Sequence, residues 1–259
     1  MDNLFPQPSG ETSFVAIGDS FTEGLNDPAP GGGYRGWADR LAGLLAAEYP
    51  GLEYANLAVR GKLLRQIVAE QVPAAAAMSP GLVSIAGGGN DILRPGADLD
   101  TLGELFDSAV ARLRATGCRV LLFTGFDPVG FPVLRLLRGR IAAYNMHLRA
   151  IADARDCALV DLWSMRFLRD PAAWSPDRIH LSAQSHQRLA LRACEVLGVP
   201  VTEDWRVTPE RTGVPISTAR WAKEYLAPWA GRRLRGVSSG DGRLPKRPAL
   251  QPVSPPIVM

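Results

Sequence analysis

"FVAIGDSFTEG", residues 14–24, is the stretch whose reading decides the fold. The run at 13–17, "SFVAI", is apolar, partly β-branched and short, which are the marks of a buried strand. It breaks at once into Gly18-Asp19-Ser20. A strand that ends in a small residue, a carboxylate and a hydroxyl has two readings. Either Ser20 merely caps or satisfies a turn, or it stands on a rim to react.

Working outward, the same strand-then-turn pattern recurs. "LEYANLA" (52–58), "GLVSIAGGG" (81–89), "CRVLLFTGF" (118–126) and "CALVDLW" (157–163) read as further strands. Between and after them, helical spacing appears in "WADRLAGLLAAEY", "LLRQIVAEQVPAAAA", "LGELFDSAVARLRAT", "RGRIAAYNMHLRAIADAR" and "AQSHQRLALRACEVLG". Pro73 is expected to kink or break the second of these. Gly117 and Gly198 are expected to close two others. Five strands alternating with helices build βαβ crossovers, so the chain is read as α/β, with a five-stranded parallel sheet covered on both faces in three layers. Such sheets place their chemistry at the strands' carboxyl ends. Gly18-Asp19-Ser20, Gly61, Gly87–Asp91 and Asp127 all follow strands and are therefore expected on one rim.

A length of 259 residues suits one sizeable α/β domain with an appendage. Hydrophobic residues at 46% and charged residues at 21% fit a soluble globular protein, and a net charge of +3 gives no reason to expect nucleic acid. No apolar run reaches the roughly 20 residues that span a bilayer. The start "MDNLFPQPSGETS" has neither a basic region nor an apolar one, so no signal peptide is read and a cytoplasmic location is expected. Cys118, Cys157 and Cys194 show no metal spacing, and their odd number argues against a disulfide framework. They read as small core residues.

A serine hydroxyl is a weak nucleophile until a base takes its proton, and histidine is the usual base. The chain has three: His147, His180 and His186. His147 and His186 lie in helical patterns. His180 sits in the turn-rich "WSPDRIHLS", three residues after Asp177, a spacing that can bring carboxylate to imidazole on one bend. An oxyanion needs donors as well. Backbone N–H groups of Ser20 and Gly61, and the side-chain amide of Asn90 in "GGGND", can supply them. Asp19 and Asp91 read as acceptors that hold their turns.

Taken in order, Ser20 in "GDSFTEG", Gly61 in "NLAVRGKLL", Asn90 in "GGGND" and Asp177 with His180 in "DRIH" resemble the SGNH, or GDSL, hydrolase family over roughly residues 13–198. The resemblance implies a flavodoxin-like sandwich. It implies Ser20 as nucleophile, His180 as base, Asp177 as its partner, and Ser20, Gly61 and Asn90 as the oxyanion hole. Where the family often has proline after the histidine, this chain has Leu181. The family includes esterases, lipases, thioesterases and carbohydrate deacetylases. The expected function is therefore hydrolysis of a small or exposed ester through an acyl-enzyme, without metal or cofactor. A thioesterase or sugar deacetylase is the same chemistry on another substrate. A metallophosphoesterase is disfavoured because three histidines are too few for a two-metal site. A non-catalytic binding module is disfavoured by the intact Ser20, Asp177 and His180.

Three further residues are candidate substrate contacts. Tyr34 and Arg35 lie in the loop "PGGGYRG", where a plain connector is the simpler reading. Asp127 ends a strand, where a turn acid before Pro128 is the simpler reading. Beyond residue 200 the composition changes: residues 201–259 carry ten Lys/Arg and five Asp/Glu, against nineteen and twenty-one in the first 200. "RWAKEYLAPWAGRRLR" (220–235) reads as a short helix broken at Pro228. Its Trp221, Tyr225 and Trp229, with Arg220, Lys223, Arg232, Arg233 and Arg235 nearby, suit packing on the main domain better than a membrane surface. Residues 236–259, rich in Pro, Gly and Ser, are expected to be disordered.

Overall fold

A computed structural model describes residues 12–207, 218–228, 231 and 238–255. Trp229, Arg232, Arg233 and Arg235, noted above, lie outside the described residues. The strands are β1 (Ser13–Ile17), β2 (Glu53–Asn56), β3 (Leu82–Ile85), β4 (Arg119–Phe123), β5 (Ala158–Val160) and β6 (Arg247–Pro252). They lie in the order β5-β4-β3-β1-β2-β6. The first five are parallel, in the flavodoxin-like order, and reversal of direction about β1 opens a crevice at the carboxyl ends of β1 and β3.

β1 is buried along its whole length because both of its faces are covered. Phe14 and Ala16 point to one core, with α2 (Gly36–Glu48) and α8 (Ala183–Leu197). Val15 and Ile17 point to the other, with α4 (Val72–Ala77), α6 (Leu99–Arg114) and α7 (Arg138–Ala154). The period-two alternation of one strand thus fixes all three layers. Gly198 closes α8 in the left-handed conformation at φ 75°, as expected of a C-cap glycine.

Pro73 does not break its helix. α3 (Leu64–Gln66) runs through a single wide turn, Ile67–Gln71, into α4, with Val72 N–H bonded to Ile67 O. Proline has no N–H to give to the preceding turn, and the wider i→i+5 turn just before it absorbs the mismatch. The wide turn aims Gln71 inward. Its side chain bonds both backbone groups of Gly18, accepting from the N–H at 2.7 Å and donating to the carbonyl at 2.9 Å.

The sheet has six strands rather than five, and the expected disorder of 236–259 does not hold for residues 238–255. β6 pairs antiparallel with β2, with Tyr54 opposite Gln251 and an irregularity between Tyr54 and Asn56. Pro248 and Pro252 argue against a strand in the sequence, but they are tolerated here because β6 is the sheet edge, where missing donors face solvent. Leu250 and Val253 pack against the two cores. Arg247 lies over the Tyr54 ring, 5.4 Å from its centroid.

Gln71→Leu would leave the buried N–H of Gly18 unpartnered and its carbonyl with the Val59 N–H alone, at 3.2 Å. It is expected to lower the unfolding free energy by about 2 kcal/mol, read by urea denaturation. A loss below about 1 kcal/mol would contradict the role given to Gln71.

Candidate active site

The turn after β1 resolves the first ambiguity. Asp19, not Ser20, is the N-cap of α1 (Ser20–Glu23): its Oδ1 accepts the Phe21 N–H at 3.0 Å. Ser20 is left as the first helical residue with its hydroxyl uncommitted to capping. Gly18 is required here, because a methyl in its place would stand 2.7 Å from both the Ala86 carbonyl oxygen and Thr22 Oγ1.

The bend carrying His180 is built from the other end of the chain. Trp174 and Leu181 form an antiparallel bridge, and Ser175 N–H bonds His180 O at 2.8 Å. Leu181, where the family often has proline, is buried in the core beneath this bend. Asp177 Oδ1 accepts the N–H groups of Ile179 and His180, each at 3.0 Å, and the Ser175 hydroxyl at 2.7 Å. Asp177 Oδ2 accepts from Asn26 Nδ2 at 2.7 Å. It also lies 2.6 Å from His180 Nδ1, and His180 Nε2 lies 3.0 Å from Ser20 Oγ. An ionised carboxylate only accepts, so Nδ1 carries the proton and Nε2 is free to take one from the hydroxyl. Burial alone would raise the Asp177 carboxyl. The His180 hydrogen bond and charge, with the two backbone N–H groups, outweigh it and hold the group well below the usual carboxylate range.

The remaining expected residues gather next to Ser20. Gly61 has φ +75° in the loop after β2. Arg60 fixes that loop on α1: its N–H bonds Glu23 Oε2 at 2.7 Å, and its guanidinium pairs with the same buried carboxylate. Asn90 Nδ2 donates to Asp19 Oδ2 at 3.0 Å and to Lys62 O at 3.1 Å, tying the neighbour of Ser20 to the neighbour of Gly61. Among the described residues no acceptor partners the Ser20 or Gly61 N–H. Burial pushes the Asp19 carboxyl up to about 6, against the Phe21 N–H and the charge of His180. Asp91, expected to hold its own turn, instead accepts the N–H of Leu64, from the start of α3, at 2.9 Å.

Three candidates are placed differently. Asp127 is 1% exposed and is committed to Arg138 (2.6 and 3.0 Å) and Arg169 (2.9 Å), so it serves as a structural anchor rather than a substrate contact. Burial and a paired cation explain this better than its position on the rim. Tyr34 lies beneath the Arg60 guanidinium, 5.1 Å from Cζ to ring centroid. Arg35 is bonded by its backbone to Asp27 O. The Tyr34 ring thus packs on the Gly61 loop, and the Arg35 backbone closes its own loop. His186 is buried, accepts the Trp37 N–H at 3.0 Å, and is pushed down to about 4 by burial. His147 faces Asp100 at 3.1 Å. Asn26, Ser175, Gln71 and Glu23 were not singled out from the sequence. Asn26, Gln71 and Glu23 act on partners 151, 53 and 37 residues away, which no local pattern marks, whereas Ser175 bonds Asp177 only two residues on.

The sequence model of the GDSL-like Lipase/Acylhydrolase family matches residues 16–188. A search of curated proteins returns no match. Among solved structures, the chain is similar to Axe2, an acetylxylan esterase from Geobacillus stearothermophilus, at 25% identity over 76% of this chain and 97% of that one, TM-score 0.61. It is similar to TesA at 26% identity over 72% and 98%, TM-score 0.61. LAE5, an alpha/beta hydrolase enzyme from the metagenome of Lake Arreo, Spain, shares the fold at 24% identity over 72% and 95%, TM-score 0.62. With two thirds of its length matched by one family and its fold similar to that of an acetylxylan esterase, the chain belongs to the GDSL-like lipase/acylhydrolase family and is an SGNH-type esterase.

Proposed function

We propose that the chain hydrolyses small carboxylic esters through a covalent acyl-enzyme on Ser20, with His180 as the base and Asp177 as its orienting partner. The observation that carries this is the unbroken hydrogen-bond chain Asp177 Oδ2–His180 Nδ1 (2.6 Å) and His180 Nε2–Ser20 Oγ (3.0 Å).

His180 Nε2 takes the hydroxyl proton as Ser20 Oγ bonds to the ester carbon. The imidazolium then gives that proton to the departing alkoxide, and the C–O bond breaks. Water enters and passes a proton to Nε2, and its oxygen attacks the acyl carbon. The acid leaves as Ser20 Oγ recovers its proton. Asp177 stays ionised throughout, which stabilises the positive imidazole. The oxyanion accepts from the Ser20 and Gly61 N–H groups and from Asn90. Asn90 reaches it by turning one N–H away from Asp19. A carboxylate whose pKa is raised to about 6 is held at some cost in its charged form, and the Asn90 bond offsets part of that cost. The likeness to an acetylxylan esterase supports an acetylated carbohydrate as the first natural substrate class to test.

Ser20→Ala is expected to lower turnover of p-nitrophenyl acetate by at least about 1,000-fold with the fold intact. Near-wild-type turnover would rule out Ser20 as nucleophile. Asp19 gives a second test. Its raised pKa means the folded state holds the proton more tightly than the unfolded chain. Its contribution to stability is therefore full below about 4 and is lost as pH climbs through about 6. Asp19→Asn removes that slope. Relative to wild type, the variant's unfolding free energy is expected to rise by about 2 kcal/mol between pH 4 and 7. A difference independent of pH would contradict the burial assigned to this carboxyl.

A further inference from the structure

Beyond residue 188, where the family match ends, the chain returns to the rim. Trp221, at the end of α9 (Thr218–Trp221), donates its indole N–H to Asp177 O at 2.8 Å, and Arg178 lies over its ring at 5.2 Å. The chain then reaches the opposite side of Ser20. Residues 238–241 form a tight turn: Ser238 N–H bonds Asp241 Oδ2 (2.7 Å), Gly240 N–H bonds Ser238 Oγ (3.1 Å), and Asp241 N–H bonds Ser238 O (3.2 Å). This turn is seated directly on Arg60-Gly61. A methyl on Gly61 would overlap Ser238 Oγ, and one on Gly240 would overlap the Arg60 carbonyl oxygen. Gly240 is buried by that contact. Immediately after the turn, Lys246 Nζ pins the segment beside α1 and α2. It donates to Glu23 O (2.6 Å), Tyr34 O (3.1 Å), Arg35 O (3.1 Å) and Asp39 Oδ2 (2.5 Å).

We propose that the Ser238–Asp241 turn is a specificity-determining wall of this esterase, limiting the acyl group to a few carbons. The proposal rests on the reading of Ser20, His180 and Gly61 given above. In the tetrahedral intermediate the reacting carbon is bonded to Ser20 Oγ and carries three other groups. The leaving oxygen must face His180 Nε2 to receive its proton. The oxyanion must face the Ser20 and Gly61 N–H groups. The acyl chain takes the remaining direction, away from His180 and past the Gly61 loop, and there it meets Ser238. A turn tied by three internal hydrogen bonds and backed by the Lys246 anchor cannot yield as a single flexible side chain would. An acetyl group fits beside it, and an eight-carbon chain does not.

The test compares kcat/KM for p-nitrophenyl octanoate and p-nitrophenyl acetate in the full-length protein. Two variants lift the turn by independent routes, with Ser20, His180, Asp177, Gly61 and Asn90 unchanged. Gly240→Ala forces it off the Arg60 carbonyl. Lys246→Met removes the anchor without altering the turn. Wild type is expected to prefer acetate, and each folded variant to raise the octanoate-to-acetate ratio by about tenfold or more. A wild type that prefers octanoate overturns the proposal, as does a ratio within about twofold of wild type in both variants. Equal loss on both esters also overturns it, because the turn would then support the site without selecting substrate. If Gly240→Ala shows no cooperative melting transition, the Lys246→Met ratio decides. Failure of the underlying mechanism reads out separately, as turnover that survives Ser20→Ala.

Discussion

The contact on which this structure depends is the 3.0 Å hydrogen bond between His180 Nε2 and Ser20 Oγ, made across 160 residues of chain. Neither side chain is placed by its immediate neighbours alone. Ser20 is where it is because β1 runs buried into Gly18, whose two backbone groups are gripped by Gln71, and because Asp19 takes the capping duty that a serine in that place would otherwise perform. His180 is where it is because Asp177 spends four acceptor contacts on the bend around it, and Asn26 ties that carboxylate back to the loop after α1. For the proposed chemistry such a pair needs preorganisation of this kind, since each loose rotor would cost the alignment that proton transfer requires.

The parallel sheet converts sequence order into spatial proximity. Because β1, β2 and β3 run the same way, the turn after each opens on the same rim, and the residues that follow them meet. Asn90 makes this literal, with one amide bonding the loops on either side of β1. That much was legible in the sequence. Apolar runs ending in Gly-Asp-Ser and Gly-Gly-Gly-Asn-Asp announce both the strands and what their ends carry. Apart from Ser175, the residues that escaped notice act at a distance. Gln71 looks like one more polar residue in a helix until the wide turn before Pro73 aims it at Gly18. Glu23 looks like a surface acid of "GDSFTEG" until Arg60 arrives from the loop after β2. Asp127 was read as a substrate contact or, more simply, as a turn acid before Pro128; it does accept the Val129 N–H, and the sequence did not show that two arginines from later segments also claim it. Local patterns report strands, turns and nucleophile-like residues. They do not report which long-range partner will satisfy a buried charge.

The C-terminal segment shows the same limit from another side. Its Pro, Gly and basic residues satisfy the composition of a disordered tail, yet β6 closes the exposed edge of β2. An unpaired edge invites association with other chains, and a strand with prolines on an outer edge is a natural cover. The same segment brings Lys246 into a cage of three backbone carbonyls and Asp39, so the basic excess noted in the sequence is partly spent on internal anchoring. Fold completion and access to the rim are thereby coupled in one stretch of chain. The edge strand and the turn over Gly61 are separated by only a few residues, and Lys246 between them holds both to the body of the protein.

The central claim is that the imidazole of His180 activates the hydroxyl of Ser20. It is tested most directly by treating the intact protein with a fluorophosphonate and locating the adduct by peptide mass spectrometry, in wild type and in His180→Ala. The account predicts a single adduct on Ser20 in wild type and its loss in the variant. An adduct at another residue, or equal labelling of Ser20 without the imidazole, would contradict it.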